Sequence, residues 1–497
     1  MRCHPARFRG SRHLRLVAVS VAATVAFAGC GSEDEASPDD GSSTMVEAIT
    51  TSTPDVPAPD DDEPPTATAP SDDPASTALA AVVDLLNDPA PDASAIDALF
   101  SPTFLAQIPA QQVLALLPQL RAGATGPWSV IEPQVLGFGI TARLEAPGAL
   151  PLSTQLQVDA DAPELIVGLL FQPVPDLPEV GSAEEIVAAL ADLGPRQRLG
   201  LYEIVDGECL TIDDYGGADA MPIGSVYKLW IMAELSAQVE RGEAAWDEEF
   251  PVQDRYKASP DGEVFGLAEG VQLTLRRYAE LMISISDNSA ADHLLHRLSR
   301  ERVEAAMMAS GVADPSLNRP ILSASDLFMI KFHPDRPNSV EYRALDEDGR
   351  RAILDELADE TVPWIAGPDA FPLVNAEGVS VAEPRDNDLE WFATPDDLCR
   401  THAHLSDLAA RPGLEPVAEI LSINDTAGLR FDRQVWTDLR YKGGSEPGVV
   451  AVAWWMERAD GRVFVLAGGV ENKGTAIDPI LAVGILQQGA NVLADIE

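Results

Sequence analysis

The spacing of hydrophobic and polar residues changes several times along the chain, and each change marks a different kind of segment. Residues 16–28 form a short apolar run, and residues 31–75 contain almost no apolar position. Ordered spacing begins near Ser76 and predicts helices over residues 77–87 and 109–122. The chain therefore begins with about 75 residues that carry no folded core, followed by a folded region.

The pattern beyond residue 122 changes to the short period of β-strands. Segments that alternate or run apolar between Gly and Pro residues lie at 128–132, 135–145, 150–159 and 165–172. Helices followed by strands predict a small α+β domain with an antiparallel sheet over residues 76–178. The Pro-rich stretch 172–178 predicts the boundary to the next domain.

Residues 179–497 contain strand patterns at both ends. A helix is predicted over 182–193, then a hairpin across Asp206-Gly207. The chain closes with predicted strands at 449–457 and 462–468 and a helix at 480–493. This order predicts a second α+β domain, in which strands from both ends form one antiparallel sheet with helices on its faces.

The N-terminus has the pattern of an export signal. Five arginines within the first 15 residues precede the apolar run, which is too short to span a bilayer as a stable helix. Ala28-Gly29-Cys30 then resembles a bacterial lipobox, which predicts a signal peptide over 1–29 and lipidation of Cys30. An ordinary cleavable signal is the alternative.

Charge supports a tethered, exported protein. Residues 31–75 contain thirteen acids and no Lys or Arg, so we expect a disordered, self-repelling tether from 30 to 75. The net charge of −46 repels phosphate backbones and argues against nucleic-acid binding. The predicted location is the outer face of the cell membrane, where Cys209 and Cys399 are either a disulfide or two buried thiols.

Ser225-Val226-Tyr227-Lys228 is the first candidate for chemistry. A spacing of three residues places the serine and lysine side chains on one face of a helix. A lysine that loses its proton in a partly desolvated site can accept the proton of the serine hydroxyl. Alone the motif is weak, because a capping serine with an exposed lysine gives the same pattern.

Two further motifs follow Ser225. Ser286-Asp287-Asn288 lies between two predicted helices, where a simple helix cap is the plain alternative. Lys442-Gly443-Gly444-Ser445 is predicted at the start of a strand, and its glycines would let a substrate lie against the strand edge. A β-turn with a solvated lysine is the alternative for the second motif.

Together the three motifs, in this order, resemble the class A β-lactamases and the related penicillin-recognising enzymes. The resemblance covers residues 180–497 and implies a β-lactamase-like fold, with an antiparallel sheet and a helical subdomain. The whole layout is also similar to LpqF-type actinobacterial lipoproteins and to the β-lactamase-like proteins of clavulanate gene clusters.

The resemblance implies a role for each motif residue. Ser225 would be the acylated nucleophile and Lys228 its proton acceptor. Ser286, helped by Lys442, would pass a proton to the leaving group, and Asn288 would hold a substrate amide.

The same resemblance implies how the substrate is held. The backbone N–H groups of Ser225 and Ser445, beside Gly444, would form the oxyanion hole. Lys442 and the Ser445 hydroxyl would attract a substrate carboxylate.

This sequence departs from the family pattern at two points. Gly443 stands where the family usually has Thr or Ser, so one hydroxyl for the carboxylate is missing. The family's deacylating Glu, about 35 residues after Ser-Asp-Asn, would fall near Leu322, in a segment without acids. Glu377, Glu383 and Glu390 lie in the lengthened segment before Lys442, and none is in a matching motif.

We therefore expect a serine hydrolase that acts on amides or esters carrying a carboxylate, with β-lactams and peptidoglycan stems as the leading classes. No cofactor or metal is implied. A D-Ala-D-Ala-type peptidase or an esterase would use the same residues. A non-catalytic envelope-binding protein is the third alternative, although a pure binding module needs no paired lysines.

Overall fold

The structure is a computed structural model of the chain. It describes residues 73–121, 123–136, 139–159, 162–174, 177–216, 219–259, 262–332, 339–358, 387–425, 429 and 431–497. The predicted signal peptide, Cys30 and nearly all of the predicted tether lie outside these residues. The described residues form two compact units, one ending at Val174 and the other running from Leu177 to Glu497.

Four helices begin the first unit. They are α1 (Pro74–Asn87), α2 (Ala93–Leu99), α3 (Pro102–Gln107) and α4 (Ala110–Leu120). The first begins inside the segment predicted as a tether, because Pro74 suits the first helical turn and the Asp73 side chain accepts the N–H of Ser76 at 2.9 Å. The short helices α2 and α3 were not predicted.

A four-stranded antiparallel sheet completes the first unit. Its strands, in spatial and chain order, are β1 (Ser129–Leu136), β2 (Gly139–Glu145), β3 (Leu152–Val158) and β4 (Ile166–Pro173). Buried side chains of α1, including Leu79 and Leu86, share one apolar core with Leu144 and Leu156 of the sheet. The break predicted at residues 133–134 is wrong, because β1 continues through Pro133 with a register shift between Ile131 and Gln134.

The main-sheet strands of the second unit come from both ends of its sequence. In chain order they are β5 (Arg196–Val205), β6 (Glu208–Tyr215), β7 (Met221–Pro222), β8 (Glu249–Pro251), β9 (Gln272–Thr274), β10 (Phe392–Ala393), β11 (Trp436–Glu446), β12 (Val449–Arg458) and β13 (Val463–Glu471). The main sheet is antiparallel in the order β11-β12-β13-β5-β6, which confirms the predicted fold class. Asp206 and Gly207, at φ 52° and 83°, form the predicted β5–β6 turn.

Helices make up most of the rest of the second unit. They are α5 (Ala183–Ala191), α6 (Lys228–Glu240), α7 (Glu263–Gly266), α8 (Leu275–Ser284), α9 (Asn288–Leu298), α10 (Arg300–Ala309), α11 (Ala324–Phe332), α12 (Ser339–Ala344), α13 (Glu347–Leu357), α14 (Pro395–Ala409), α15 (Pro416–Leu421), α16 (Pro479–Gln487) and α17 (Gly489–Ala494). Helix α6 is buried along nearly its whole length, and its apolar side chains share one core with those of α8, α9 and α10. This buried helix carries the lysine of the Ser-x-x-Lys motif.

Cys209 of β6 and Cys399 of α14 form a disulfide, with their Cα atoms 6.3 Å apart. The sequence left open whether these cysteines form a disulfide or are two buried thiols, and the structure has the disulfide. Within the described residues, no helix is both long enough and apolar enough to cross a membrane.

Candidate active site

Ser225 lies in a 3₁₀ turn, Gly224–Tyr227, that leads directly into α6. The turn holds the serine hydroxyl beside the first residue of the helix, so that Lys228 Nζ lies 3.0 Å from Ser225 Oγ. Gly224 has φ 48°, and a side chain there would come within 3.1 Å of the Ser445 nitrogen. The turn therefore needs glycine both for its backbone conformation and for its close approach to β11.

Lys228 is fully buried and is surrounded by oxygen atoms. Its Nζ lies 2.5 Å from the carbonyl oxygen of Ser286 and 2.7 Å from Asn288 Oδ1, with Ser286 Oγ at 3.1 Å. In its neutral form Lys228 can donate two N–H groups to the carbonyl and amide oxygens, which leaves its single lone pair for the hydroxyl of Ser225. The arrangement can therefore accept a proton from Ser225.

Ser286 has an unusual backbone conformation, with φ 60° in a residue that is not glycine. Such conformations cost free energy and cluster at functional sites. Here the conformation lets both the carbonyl and the hydroxyl of Ser286 contact Lys228. Asp287 is the helix cap, since its side chain accepts the N–H of Ala290 at 2.8 Å. The capping role considered for the motif thus belongs to Asp287, while its two neighbours face the lysine.

The amide of Asn288 is oriented by a residue that sequence reasoning missed. Asn288 Nδ2 donates to the hydroxyl of buried Ser259 at 3.2 Å, which leaves Oδ1 as the atom facing Lys228. Ser259 comes from the segment before α7 and is 29 residues from Asn288 in sequence. No local pattern in the sequence marks it.

Lys442 reaches the same cluster from β11. Its Nζ lies 3.0 Å from Ser286 Oγ and 2.6 Å from the carbonyl oxygen of Gly443. Burial lowers the pKa of Lys442 well below its ordinary value, and Lys228 lowers this pKa further whenever it is in its ammonium form. The Ser286 hydroxyl therefore bridges two lysines, one of which readily gives up its proton.

The Lys-Gly-Gly-Ser motif lies at the end of β11, and the prediction that it starts a strand is wrong. The strand begins at Trp436, six residues earlier, and the turn into β12 follows the motif. A side chain at Gly444 would come within 2.6 Å of the Ser225 nitrogen, so β11 packs directly against the nucleophile turn. The backbone nitrogens of Ser225 and Ser445 thus belong to adjacent segments, and Ser445 is exposed to solvent.

Glu390, considered as a deacylating base, belongs to a separate buried cluster. Lys331 Nζ lies 2.6 Å from Glu390 Oε1 and 2.6 Å from Glu446 Oε2. Burial raises the pKa of Glu390 well above its usual range, and the neighbouring carboxyl of Glu446 raises it further. Although burial opposes it, the two carboxyls raise the pKa of Lys331. Burial thus favours the uncharged form of Glu390, while the carboxyls favour the ammonium form of Lys331. Glu377 and Glu383 lie outside the described residues.

An aromatic stack connects this cluster to the nucleophile turn. Trp391 follows Glu390, and its ring stacks on Tyr227 with centroids 3.8 Å apart and planes nearly parallel. The carbonyl of Trp391 accepts the N–H of Ile223 at 2.9 Å. Its indole N–H donates to the carbonyl of Leu322 at 3.0 Å, near the position expected for the family's glutamate. Trp391 therefore supports the turn that carries Ser225, and its sequence context gave no signal.

Two family models match the chain. Residues 184–411 match the model described as the Beta-lactamase enzyme family, and residues 70–163 match the model described as the N-terminal part of the ORF 12 gene product. The first match contains Ser225, Lys228, Ser286 and Asn288 and ends before Lys442. The second unit has a β-lactamase-like fold, and a separate domain precedes it. No curated protein matches the chain.

Several solved structures are similar to the chain. A β-lactamase from Sphaerobacter thermophilus is 18% identical and covers 63% of this chain and 98% of its own, with a TM-score of 0.42. A β-lactamase from Chitinophaga pinensis is 14% identical and covers 63% and 97%, with a TM-score of 0.43. The protein PBP-A is 15% identical and covers 64% and 100%, with a TM-score of 0.40.

Proposed function

We propose that this protein is a serine hydrolase that forms an acyl-enzyme at Ser225 with β-lactam-like amides or esters carrying a carboxylate. The observation that carries the proposal is the 3.0 Å contact between Lys228 Nζ and Ser225 Oγ, made by a fully buried lysine. The family match over residues 184–411 supports the reaction class.

In the proposed step, Ser225 Oγ attacks the substrate carbonyl carbon while its proton moves to the lone pair of Lys228. The N–H groups of Lys228 that donate to Ser286 and Asn288 keep the lone pair directed at Ser225. As the carbonyl–nitrogen bond breaks, the Ser286 hydroxyl gives its proton to the leaving nitrogen and is reprotonated by one of its two lysine neighbours. The product of the step is an ester on Ser225.

Substrate charge would be recognised by Lys442 and Ser445. A carboxylate beside Lys442 favours the ammonium form, which offsets the burial and the like charge that lower its pKa in the free protein. The backbone nitrogens of Ser225 and Ser445, held on packed segments, are the proposed donors to the developing oxyanion.

Deacylation is proposed to be slow. Gly443 lacks a hydroxyl for the substrate carboxylate, the family's glutamate has no counterpart at the sequence position of Leu322, and Glu390 is engaged with Lys331. Losing a positioned base typically costs 10²–10⁴-fold in rate, or roughly 3–5 kcal/mol of barrier. With a chromogenic cephalosporin we expect a burst near one equivalent and then a slow steady rate. Rapid turnover without a burst would show that a base is present.

The same chemistry suits an esterase or a D-Ala-D-Ala-type peptidase. An ester is favoured over an amide where no base assists, because an alkoxide leaves more easily than an amine. Esters of matched acyl groups should therefore be hydrolysed faster than the amides. Equal rates for the two would point to a peptidase.

The proposed location is the outer face of the membrane, through a lipid on Cys30, as in the LpqF-type layout. The disulfide between Cys209 and Cys399 supports an oxidising compartment. Cys30→Ala should release the protein into the soluble fraction. A variant that stays in the membrane pellet would contradict the anchor.

The acylation proposal is tested by labelling with a fluorescent penicillin and with a serine-reactive phosphonate. The adduct should map to the peptide that contains Ser225 and disappear in Ser225→Ala. Ser445→Ala, which changes a serine in the same site, should weaken labelling without abolishing it. Labelling at another serine, or none with either reagent, would support the non-catalytic alternative.

A further inference from the structure

A cavity of about 270 Å³ lies in the second unit, outside the cluster of Ser225, Lys228, Ser286 and Lys442. Its walls come from the segment after α10, from α12 and α13, and from the segment that precedes α14. The lining residues that a ligand would contact are Leu322, Tyr342, Arg350, Trp391 and Phe392. None of them had been singled out as a binding residue from the sequence.

Two hydrogen-bond donors on this wall lack acceptors. The side chain of Tyr342 is 2% exposed, and its hydroxyl has no hydrogen-bond partner among the described residues. The buried Nε of Arg350 also has none, and within the described part of the chain Arg350 forms no salt bridge, although after Arg351 and Arg319 its charge also contributes to the lowered pKa of Glu347. Native proteins rarely leave buried donors unpaired, because each unpaired group costs about 1–3 kcal/mol and a charged group costs more.

Tyr342 and Arg350 line the same cavity and lie close to each other. The charge of Arg350 lies close enough to Tyr342 to affect its hydroxyl, although burial and the charge of Asp326 together raise the pKa of Tyr342. Tyr342 therefore stays a neutral donor, and Arg350 is a permanent cation. One cation and one neutral donor, neither with an acceptor in the part of the chain that the structure describes, match an anion that offers two oxygens.

The carboxylates on the cavity wall are engaged with other cations. Asp388 pairs with Lys473 and lies 3.7 Å from Arg343. Glu390 Oε1 lies 2.6 Å from Lys331 Nζ, whereas its buried Oε2 has no hydrogen-bond partner among the described residues. Lys473 offsets the charge of Asp388, and burial raises the pKa of Glu390 well above its usual range, which favours its uncharged form. An incoming anion therefore meets no fully charged, unpaired carboxylate from these two residues.

The remaining wall is apolar and aromatic, with Leu322, Trp391 and Phe392. Ligand sites of this kind combine apolar walls with a few placed polar groups, and typical volumes start near 300 Å³. We propose that this cavity binds a small organic monocarboxylate, with its carboxylate on Arg350 and the Tyr342 hydroxyl and its apolar body against Leu322 and Trp391. The proposal is independent of acylation at Ser225.

Benzoate is the probe, and benzamide is the neutral control of the same shape. Titration of the full chain should give saturable quenching of tryptophan fluorescence and a higher Tm with benzoate, and binding at least tenfold weaker with benzamide. The fluorescence response should disappear in Trp391→Phe, because Trp391 lines the cavity. Equal binding of the two probes, or none at millimolar concentration, would overturn the proposal.

Arg350→Gln should weaken benzoate binding by about tenfold or more, the scale of a charged hydrogen bond. Because the side chain of Arg350 makes no hydrogen bond or salt bridge among the described residues, this variant should nearly keep the Tm of the free protein; a clear fall in Tm would overturn the assignment. Arg411→Gln, which removes an exposed arginine from the Glu240 ion pair, is the matched control and should bind benzoate normally. Lys442→Met should also bind benzoate normally, whereas a loss of binding there would place the probe in the acylation site.

Tyr342→Phe provides a second test that keeps the charge and nearly all of the volume. We expect benzoate binding to weaken by about threefold to tenfold, as for one neutral hydrogen bond. The variant should fold at least as stably as the parent, since its hydroxyl is unpaired in the free protein. Unchanged affinity in both Tyr342→Phe and Arg350→Gln would overturn the proposal.

Discussion

The disulfide between β6 and α14 should contribute much of the stability of the second unit. Cys209 and Cys399 are separated by 190 residues, so the cross-link closes a very long loop in the unfolded chain. The chain-entropy relation for a loop of this length gives about 18 cal/mol/K, or about 5 kcal/mol at 25 °C, as the upper value. Native disulfides usually deliver somewhat less, and we expect the double variant Cys209→Ser/Cys399→Ser to lose about 3–5 kcal/mol of unfolding free energy.

Urea unfolding measures this loss. With a slope of about 3 kcal/mol per molar urea, the midpoint should fall by about 1–1.7 M. Unmutated protein unfolded with a reductant should reproduce the midpoint of the variant, which controls for packing effects of the substitutions. A loss below about 1 kcal/mol would refute the entropy argument. Alkylation of both cysteines in unreduced, urea-unfolded protein would show that the bond does not form.

Three further perturbations test the site and its support. Lys331→Met leaves buried carboxyls without their cation and should lower the unfolding free energy by about 3–5 kcal/mol, measured by urea unfolding. The triple variant Lys331→Met/Glu390→Gln/Glu446→Gln, which also removes the carboxyls, should recover most of this loss. Burial lowers the pKa of His402 to about 4, so between pH 6.5 and 4 the unfolded state binds more protons than the folded state. The stability that this neutral imidazole contributes is therefore full above pH 6.5 and falls as the pH drops toward 4. His402→Gln should therefore remove about 2 kcal/mol of the stability loss between pH 7.5 and 5, whereas an unchanged pH profile would contradict a buried neutral imidazole. Asn288→Asp should slow acylation more than Asn288→Ala, because a carboxylate 2.7 Å from the lysine nitrogen favours the ammonium; the reverse order would count against lysine as the base.

The sequence could predict those parts of the site whose residues lie only a few positions apart in the chain. Ser225 and Lys228 lie three residues apart, and Ser286 and Asn288 flank a capping aspartate. Within each pair, the relative position of the two side chains follows from a single turn of the backbone. Lys442 could be assigned only through its resemblance to a family motif. Its position in the strand was predicted wrongly, because the start of β11 at Trp436 was not recognised.

The parts that could not be predicted depend on contacts between distant segments. Lys331 pairs with residues 59 and 115 positions away, and neither pairing leaves a periodic signal. Ser259 reaches Asn288 from another segment in the same way. The start of α1 at Pro74 was missed for a different reason. The capping residue, Asp73, is the last of many acidic residues in the segment predicted as a tether, so it did not stand out as a helix cap.

The formation of an acyl-enzyme at Ser225, with Lys228 as the proton acceptor, is tested most directly by intact mass spectrometry after rapid mixing with benzylpenicillin. We expect one penicillin per chain in the unmodified protein and none in Ser225→Ala. Lys228→Ala should form the same adduct at least about 100-fold more slowly, the scale of a lost general base. An adduct that persists in Ser225→Ala, or that forms equally fast in Lys228→Ala, would contradict the account.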